Sequence, residues 1–233
     1  MIVTDGFVFL HLHKSGGSFV NEFIKRFYPS AREIGYHLPW SLVPESHADL
    51  PALGLVRNPW SYYVSWYTFQ KERPRQNALF RILSDDGRLE FEPTIRNMLE
   101  LGSTKSAHLE ALVAALPPGY GGRGLNLPGP ALAPIAGSGL GFYSFLYRHM
   151  YNGAGRAFFV RMEHLRDELI KMLTGSGQMV TGPMREWIAS APAKNVSAHG
   201  RYVEYYGTEL RDLVAQRDAD LIAAHGYRFG ELN

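Results

Sequence analysis

Two short stretches carry residue types suited to holding anions. His13 to Ser18 reads HKSGGS, with a cation at Lys14, hydroxyls at Ser15 and Ser18, and the glycines Gly16 and Gly17 between them. Glycine lets consecutive backbone N–H groups turn toward one point and lets an anion come close, while Lys14 adds a full charge. Arg57, Asn58 and Pro59, with Ser65 eight positions after the arginine, form a second basic, hydroxyl-bearing group. His11 and His13 alternate along one strand and so share a face. A metal pair there lacks a neighbouring carboxylate or third ligand, which favours structural or loop-shaping roles.

The flanking patterns say what must position these groups. From Phe7 to Leu12, β-branched and aromatic residues run together with no turn signal, so a buried strand is expected. After the loop, Phe19, Val20, Phe23, Ile24 and Phe27 recur at helical spacing until Pro29. HKSGGS therefore joins a strand end to a helix start, where unpaired N–H groups and the helix dipole attract anions. An ordinary glycine-bearing turn would explain the first loop alone. The second stretch repeats the plan: Leu53 to Val56 is a strand, Asn58 a plausible N-cap and Pro59 a first-turn residue. In a parallel sheet both strand ends open on one edge, so two such loops imply a ligand with two separated anionic groups.

The two stretches, in this order, resemble the motifs of sulfotransferases that use 3′-phosphoadenosine 5′-phosphosulfate (PAPS). HKSGGS is similar to the carbohydrate-type form of the family's 5′-phosphosulfate loop, which implies that Lys14, Ser15, Gly16, Gly17 and Ser18 hold that group. Arg57, Asn58, Pro59 and Ser65 resemble the motif that holds the 3′-phosphate. The segment from Asn195 to Phe229 resembles the closing segment of bacterial and Golgi-type members. The resemblance implies an α/β fold: a P-loop-like three-layer domain with a central, mainly parallel sheet flanked by helices, and a helical insertion. It further implies PAPS as donor cosubstrate, no metal, and a small-molecule or glycan acceptor, with a slight tilt to carbohydrate or glycolipid. A histidine between the two motifs often lies near the transferring group in carbohydrate-type members, which makes His37, in GYHLPW, the first candidate for general base. His13 is the second, and Glu163, in a family-like Glu-x-Leu pattern, the third. The family's glycine-rich, lysine-containing segment before the last helix is missing in recognisable form, and Arg201 is the candidate substitute.

The rest of the chain fits this frame. At 233 residues it can bury a sizeable core, and residues 1–233 are expected as one sulfotransferase-like domain with an insertion over about 75–150. A net charge of +2, from 24 basic and 22 acidic residues, is too mild to imply nucleic acid. No cysteine is present, which excludes thiolate chemistry and fits a reducing compartment. No run reaches membrane-spanning length and no basic leader precedes the first apolar run, so a soluble, bacterial cytoplasmic protein is expected.

Helices are expected over 76–83, 94–101 and 106–116. The aromatic run after Pro59 is expected to be core, and 117–141, dense in Gly and Pro, to be irregular and either an acceptor lid or a passive excursion. Residues 142–151 should form an aromatic helix, 157–162 a strand, 165–173 a helix and 202–224 a long amphipathic helix closed by Gly226. Two other functions fit parts of the pattern. A P-loop small-molecule kinase would need GxxxxGK[ST], whereas Lys14 precedes its glycines. A non-catalytic nucleotide-binding protein would keep the pocket and lack the base.

Overall fold

The computed structural model describes residues 1–104, 106–121, 124–192 and 200–231. Its strands are β1 (Ile2–Val3), β2 (Val8–Leu10), β3 (Arg32–Glu33), β4 (Ala52–Val56) and β5 (Ala157–Arg161). Helices run in the order α1 (Gly17–Phe27), α2 (Pro59–Lys71), α3 (Ala78–Leu83), α4 (Phe91–Glu100), α5 (Ala107–Ala115), α6 (Gly129–Leu132), α7 (Phe142–Tyr151), α8 (Leu165–Gly175), α9 (Gly182–Ser190), α10 (Thr208–Arg217) and α11 (Ala219–His225). The chain divides into two compact units, one of residues 1–57 and 148–192 and the other of residues 58–147 and 200–231.

The first unit holds the sheet, in the order β3-β1-β2-β4-β5. β2, β4 and β5 are parallel, with Leu10 beside Gly54 and Val56 beside Arg161, while β1 pairs antiparallel with both β2 and β3. The result is the expected α/β class: a mixed sheet with mostly parallel core strands, flanked by helices. One face packs Phe9, Leu53, Leu55 and Val160 against Phe19, Phe23 and Ile24 of α1, Leu169 and Leu173 of α8, and Ile188 of α9. This is the apolar stripe read from the sequence of α1. Burying each such side chain contributes about 1.5–3 kcal/mol, which is what fixes α1 against the sheet. On the opposite face the Tyr151 ring lies over Gly54, where a Cβ would come within 2.5 Å of the phenol oxygen. The Tyr151 hydroxyl accepts from the Leu55 amide at 3.3 Å and donates to the Leu10 carbonyl at 3.3 Å. β2 ends at Leu10, short of the expected Leu12, at the place where that hydroxyl meets both strands.

The second unit is helical. Asn58 caps α2 by accepting from the Trp60 and Ser61 amides, and Pro59 opens the helix, as the sequence predicts. Trp60, Tyr62, Tyr63, Trp66 and Tyr67 are buried, so the aromatic run is core. α3, α4, α5 and α7 fall on the expected helical stretches, and Ser106 caps α5. The Gly- and Pro-rich stretch holds α6 and a short turn at Ala133–Ile135, and Leu127, Leu132 and Ile135 are buried. Its second half is therefore packed and not an open lid.

The expected long helix over 202–224 is in fact a turn at Tyr202–Tyr205 followed by α10 and α11. Asp218 marks the break: its buried carboxylate accepts from the Ser144 amide at 2.9 Å and the Tyr63 hydroxyl at 2.8 Å. Gly226, at φ 68°, closes α11 as predicted. Among the described residues no helix is long and apolar enough to cross a membrane.

Candidate functional site

The HKSGGS loop leaves β2 and enters α1 by two unusual backbone conformations. Lys14 has φ 55° and Gly16 φ 85°, both left-handed. That region costs a side-chain-bearing residue about 1–2 kcal/mol, so Gly16 suits its place and Lys14 is strained. Gly17 is glycine for a different reason than the sequence suggests. It opens α1, and a Cβ there would fall inside the imidazole of His11. The first turn of α1 contains no acidic side chain, so no carboxylate in that turn offsets the positive end of the helix dipole. Ser15 Oγ donates to the His13 carbonyl at 3.1 Å, which ties the loop to itself. Ser18 is half-buried in the first turn.

Arg57 follows the last residue of β4 and is 6% exposed. Its Nη1 donates to the Lys14 carbonyl at 3.1 Å. The two basic loops, 43 residues apart in sequence, therefore meet at the C-terminal ends of adjacent parallel strands. One of the five guanidinium N–H donors is spent on holding the first loop. A third basic residue on this edge, Arg161 at the end of β5, is engaged by Glu168. That carboxylate accepts from the Arg161 amide at 2.7 Å, Nε at 2.8 Å and Nη2 at 2.5 Å.

His37 comes to the same place. Its ring stacks on that of His13, centroids 3.7 Å apart and planes 17° from parallel, and lies 4.6 Å from His11. His37 Nδ1 is 2.5 Å from the His11 carbonyl oxygen, which can only accept, so the proton sits on Nδ1 and the lone pair of the neutral ring on Nε2. Burial, reinforced by His13 and His11, holds its pKa well below the ordinary histidine value, so the ring is neutral at pH 7. His37 also adopts a left-handed backbone, φ 51°. Tyr36 stands edge-on to it at 4.2 Å. His11 is neutral as well, with a pKa lowered to about 3, chiefly by burial. Stacked rings direct their nitrogen lone pairs along their planes and not to one point. Among the described residues no group of three or more His, Asp or Glu side chains is placed to hold a metal ion.

Lys14, Ser15, Gly16, Gly17, Ser18, Arg57, His13 and His37 thus lie in one unit, with contacts linking the two loops and the two histidines. Glu163 sits half-buried in the turn Met162–His164, whose Met162 is the nearest neighbour of a Cβ built on Gly16, at 3.3 Å. Ser65 belongs to the other unit, where it is buried two turns into α2. Arg201 is exposed at the start of the turn Tyr202–Tyr205 in that unit. Lys194, Asn195, Ser197 and His199 lie outside the described residues. The part played by His11 was the least visible from sequence, because its contacts with Gly17 and with His37 are tertiary. The His-x-His alternation was the signal available.

No family model matches the chain, and no curated protein matches it in sequence. Among solved structures the fold is similar to that of mouse sulfotransferase SULT7A1, solved as a complex with PAP. The TM-score is 0.51, with 13% identity over 96% of this chain and 89% of that one. At that identity the likeness establishes the fold.

Proposed function

We propose that the protein is a PAPS-dependent sulfotransferase acting on an acceptor hydroxyl, with carbohydrate and glycolipid acceptors first in line. The observation that carries the reading is the bond from Arg57 to the Lys14 carbonyl, which gathers two cationic loops at neighbouring strand ends. A donor with a phosphosulfate at one end and a 3′-phosphate at the other matches two such loops. The start of α1, with Gly16 left-handed and no acid in its first turn, fits an anionic group. That the structurally similar mouse sulfotransferase binds PAP supports the same donor.

In this reading Lys14 and the amides of Ser15 to Ser18 hold the 5′-phosphosulfate and stabilise charge on the leaving oxygen. Arg57 holds the 3′-phosphate. His37 Nε2 takes the acceptor proton as the acceptor oxygen attacks sulfur. The sulfur–oxygen bond to the 5′-phosphate breaks, and its electron pair leaves with PAP. The low pKa of the free imidazole suits this sequence, because a bound polyanion beside it favours the imidazolium that forms. His13 and Glu163 are the alternative bases. No metal takes part, since the loops themselves supply the cationic charge. The cysteine-free chain is compatible with a reducing compartment, and a cytoplasmic setting is part of the proposal.

Calorimetric titration tests the donor assignment. PAP should bind more tightly than AMP and without Mg²⁺. Tighter binding of ATP with Mg²⁺ than of PAP would refute it in favour of a kinase.

A further inference from the structure

We propose that His11 is a positioning residue that holds His37 in its Nδ1–H form and fastens it to the loop that follows β2. What the held imidazole does rests on the sulfuryl-transfer reading; how it is held rests on geometry alone. His11 makes three contacts, one with the His37 segment and two with α1. Its carbonyl accepts from His37 Nδ1 at 2.5 Å. Its ring Nδ1 lies 3.3 Å from the side-chain amide nitrogen of Asn21, on the second turn of α1. The ring itself fills the space that a Cβ on Gly17 would need, against the first residue of α1. One residue at the exit of β2, its carbonyl on His37 and its ring against α1 and 4.6 Å from the His37 ring, therefore sets the strand, the start of α1 and the histidine-bearing segment in fixed relation.

The proton positions agree with this role. The Asn21 amide donates, so His11 Nδ1 carries a lone pair and the proton of the neutral ring sits on Nε2. His11 is buried and its pKa is lowered to about 3, so it stays uncharged and places no competing cation beside the base. His13 in turn stacks on His37. His37 and Lys14 both hold left-handed backbones, which persist only where neighbours over-determine them. The carbonyls of His11 and Lys14, three residues apart, are the acceptors for His37 and Arg57 respectively. The main chain between them thus holds both side chains.

Free neutral imidazole favours the Nε2–H form, which would point its lone pair away from the acceptor. Loosening the tether should therefore lower the rate of transfer more than it lowers donor affinity. The test uses the full chain with ¹⁵N-labelled histidine. Long-range ¹H–¹⁵N spectra should show His37 as the Nδ1–H tautomer in the wild type. Asn21→Ala removes the amide that orients His11 and introduces a good helix former, so the helix should persist. His11→Ala keeps the carbonyl but removes the ring that packs against Gly17 and 4.6 Å from the His37 ring, so it tests whether that packing keeps the carbonyl in line with Nδ1. Both variants should show His37 as a mixture of tautomers, with kcat down about tenfold to a hundredfold and the Kd for PAP changed by less than about threefold. A mixed tautomer in the wild type, or variants whose tautomer and kcat match the wild type, would overturn the proposal. So would a fall in PAP affinity as large as the fall in kcat, because His11 would then shape only the donor loop. A wild type that shows the Nδ1–H form but fails to bind PAP would instead refute the donor reading.

Discussion

Gly17→Ala sets two opposing effects against each other at the centre of the site. Alanine in place of glycine in a helix gains up to about 1 kcal/mol from propensity. Against that, the added Cβ would fall inside the His11 ring, and forcing a methyl into a filled site costs about 1–3 kcal/mol. The ring has little room to retreat, since it is packed between Phe9, at 6.3 Å, and Tyr36 and His37, at 5.1 and 4.6 Å. The steric effect should win, leaving a net loss of up to about 2 kcal/mol, or a melting temperature lower by up to roughly 8 °C. Gly155→Ala is the control: a Cβ there meets nothing within 4 Å, so its stability should match or slightly exceed that of the wild type. Urea denaturation with unchanged m-values reads the stability, and PAP titration reads the loop. If Gly17→Ala proved as stable as Gly155→Ala and bound PAP as the wild type does, the close approach of His11 to α1 would be refuted.

Three further perturbations probe other parts of the account. Lys14→Ala should lower transfer of labelled sulfate from PAPS about a hundredfold or more with little change in melting temperature; turnover at the wild-type rate would remove Lys14 from the mechanism. Arg57→Ala loses a charge-assisted bond to the Lys14 carbonyl, so stability should fall by about 1.5–3 kcal/mol and the preference for PAPS over adenosine 5′-phosphosulfate should shrink. An unchanged preference would reassign the second loop. Burial, offset in part by Ser144 and Tyr63, raises the pKa of Asp218 above 3.8, so the folded state holds that proton more tightly than the unfolded chain does. Its contribution to stability is then present at low pH and lost as pH rises from about 4 through the raised pKa. Asp218→Asn should remove that slope, and the stability difference between variant and wild type should move in the variant's favour between pH 4 and 7. A difference constant with pH would contradict the assignment.

Residues with local signatures were legible in the sequence. The stripe Phe19, Val20, Phe23 and Ile24 announced α1, Asn58-Pro59 announced the start of α2, and Gly226 the end of α11. The two-residue strands β1 and β3 carried no pattern, being too short for alternation to show. α9 was hidden by its Gly-Pro opening, although proline is well placed in a first helical turn. The break at Asp218 interrupts an apolar pattern that continues on both sides, and its cause, bonds from Ser144 and Tyr63, is distant in sequence. In the site, the order of lysine, glycines and arginine marked the two loops. The stack of His13 on His37 and the wedge of His11 against Gly17 depend on how residues 34–40 fold back onto β2, and periodicity carries no information about that.

A crystal structure of the complex with PAP would show whether the two basic loops hold the two ends of one nucleotide. The 5′-phosphate is expected on Lys14 and the amides of Ser15 to Ser18, with the 3′-phosphate on Arg57. PAP bound away from these loops, or with its 3′-phosphate on Lys14, would contradict it.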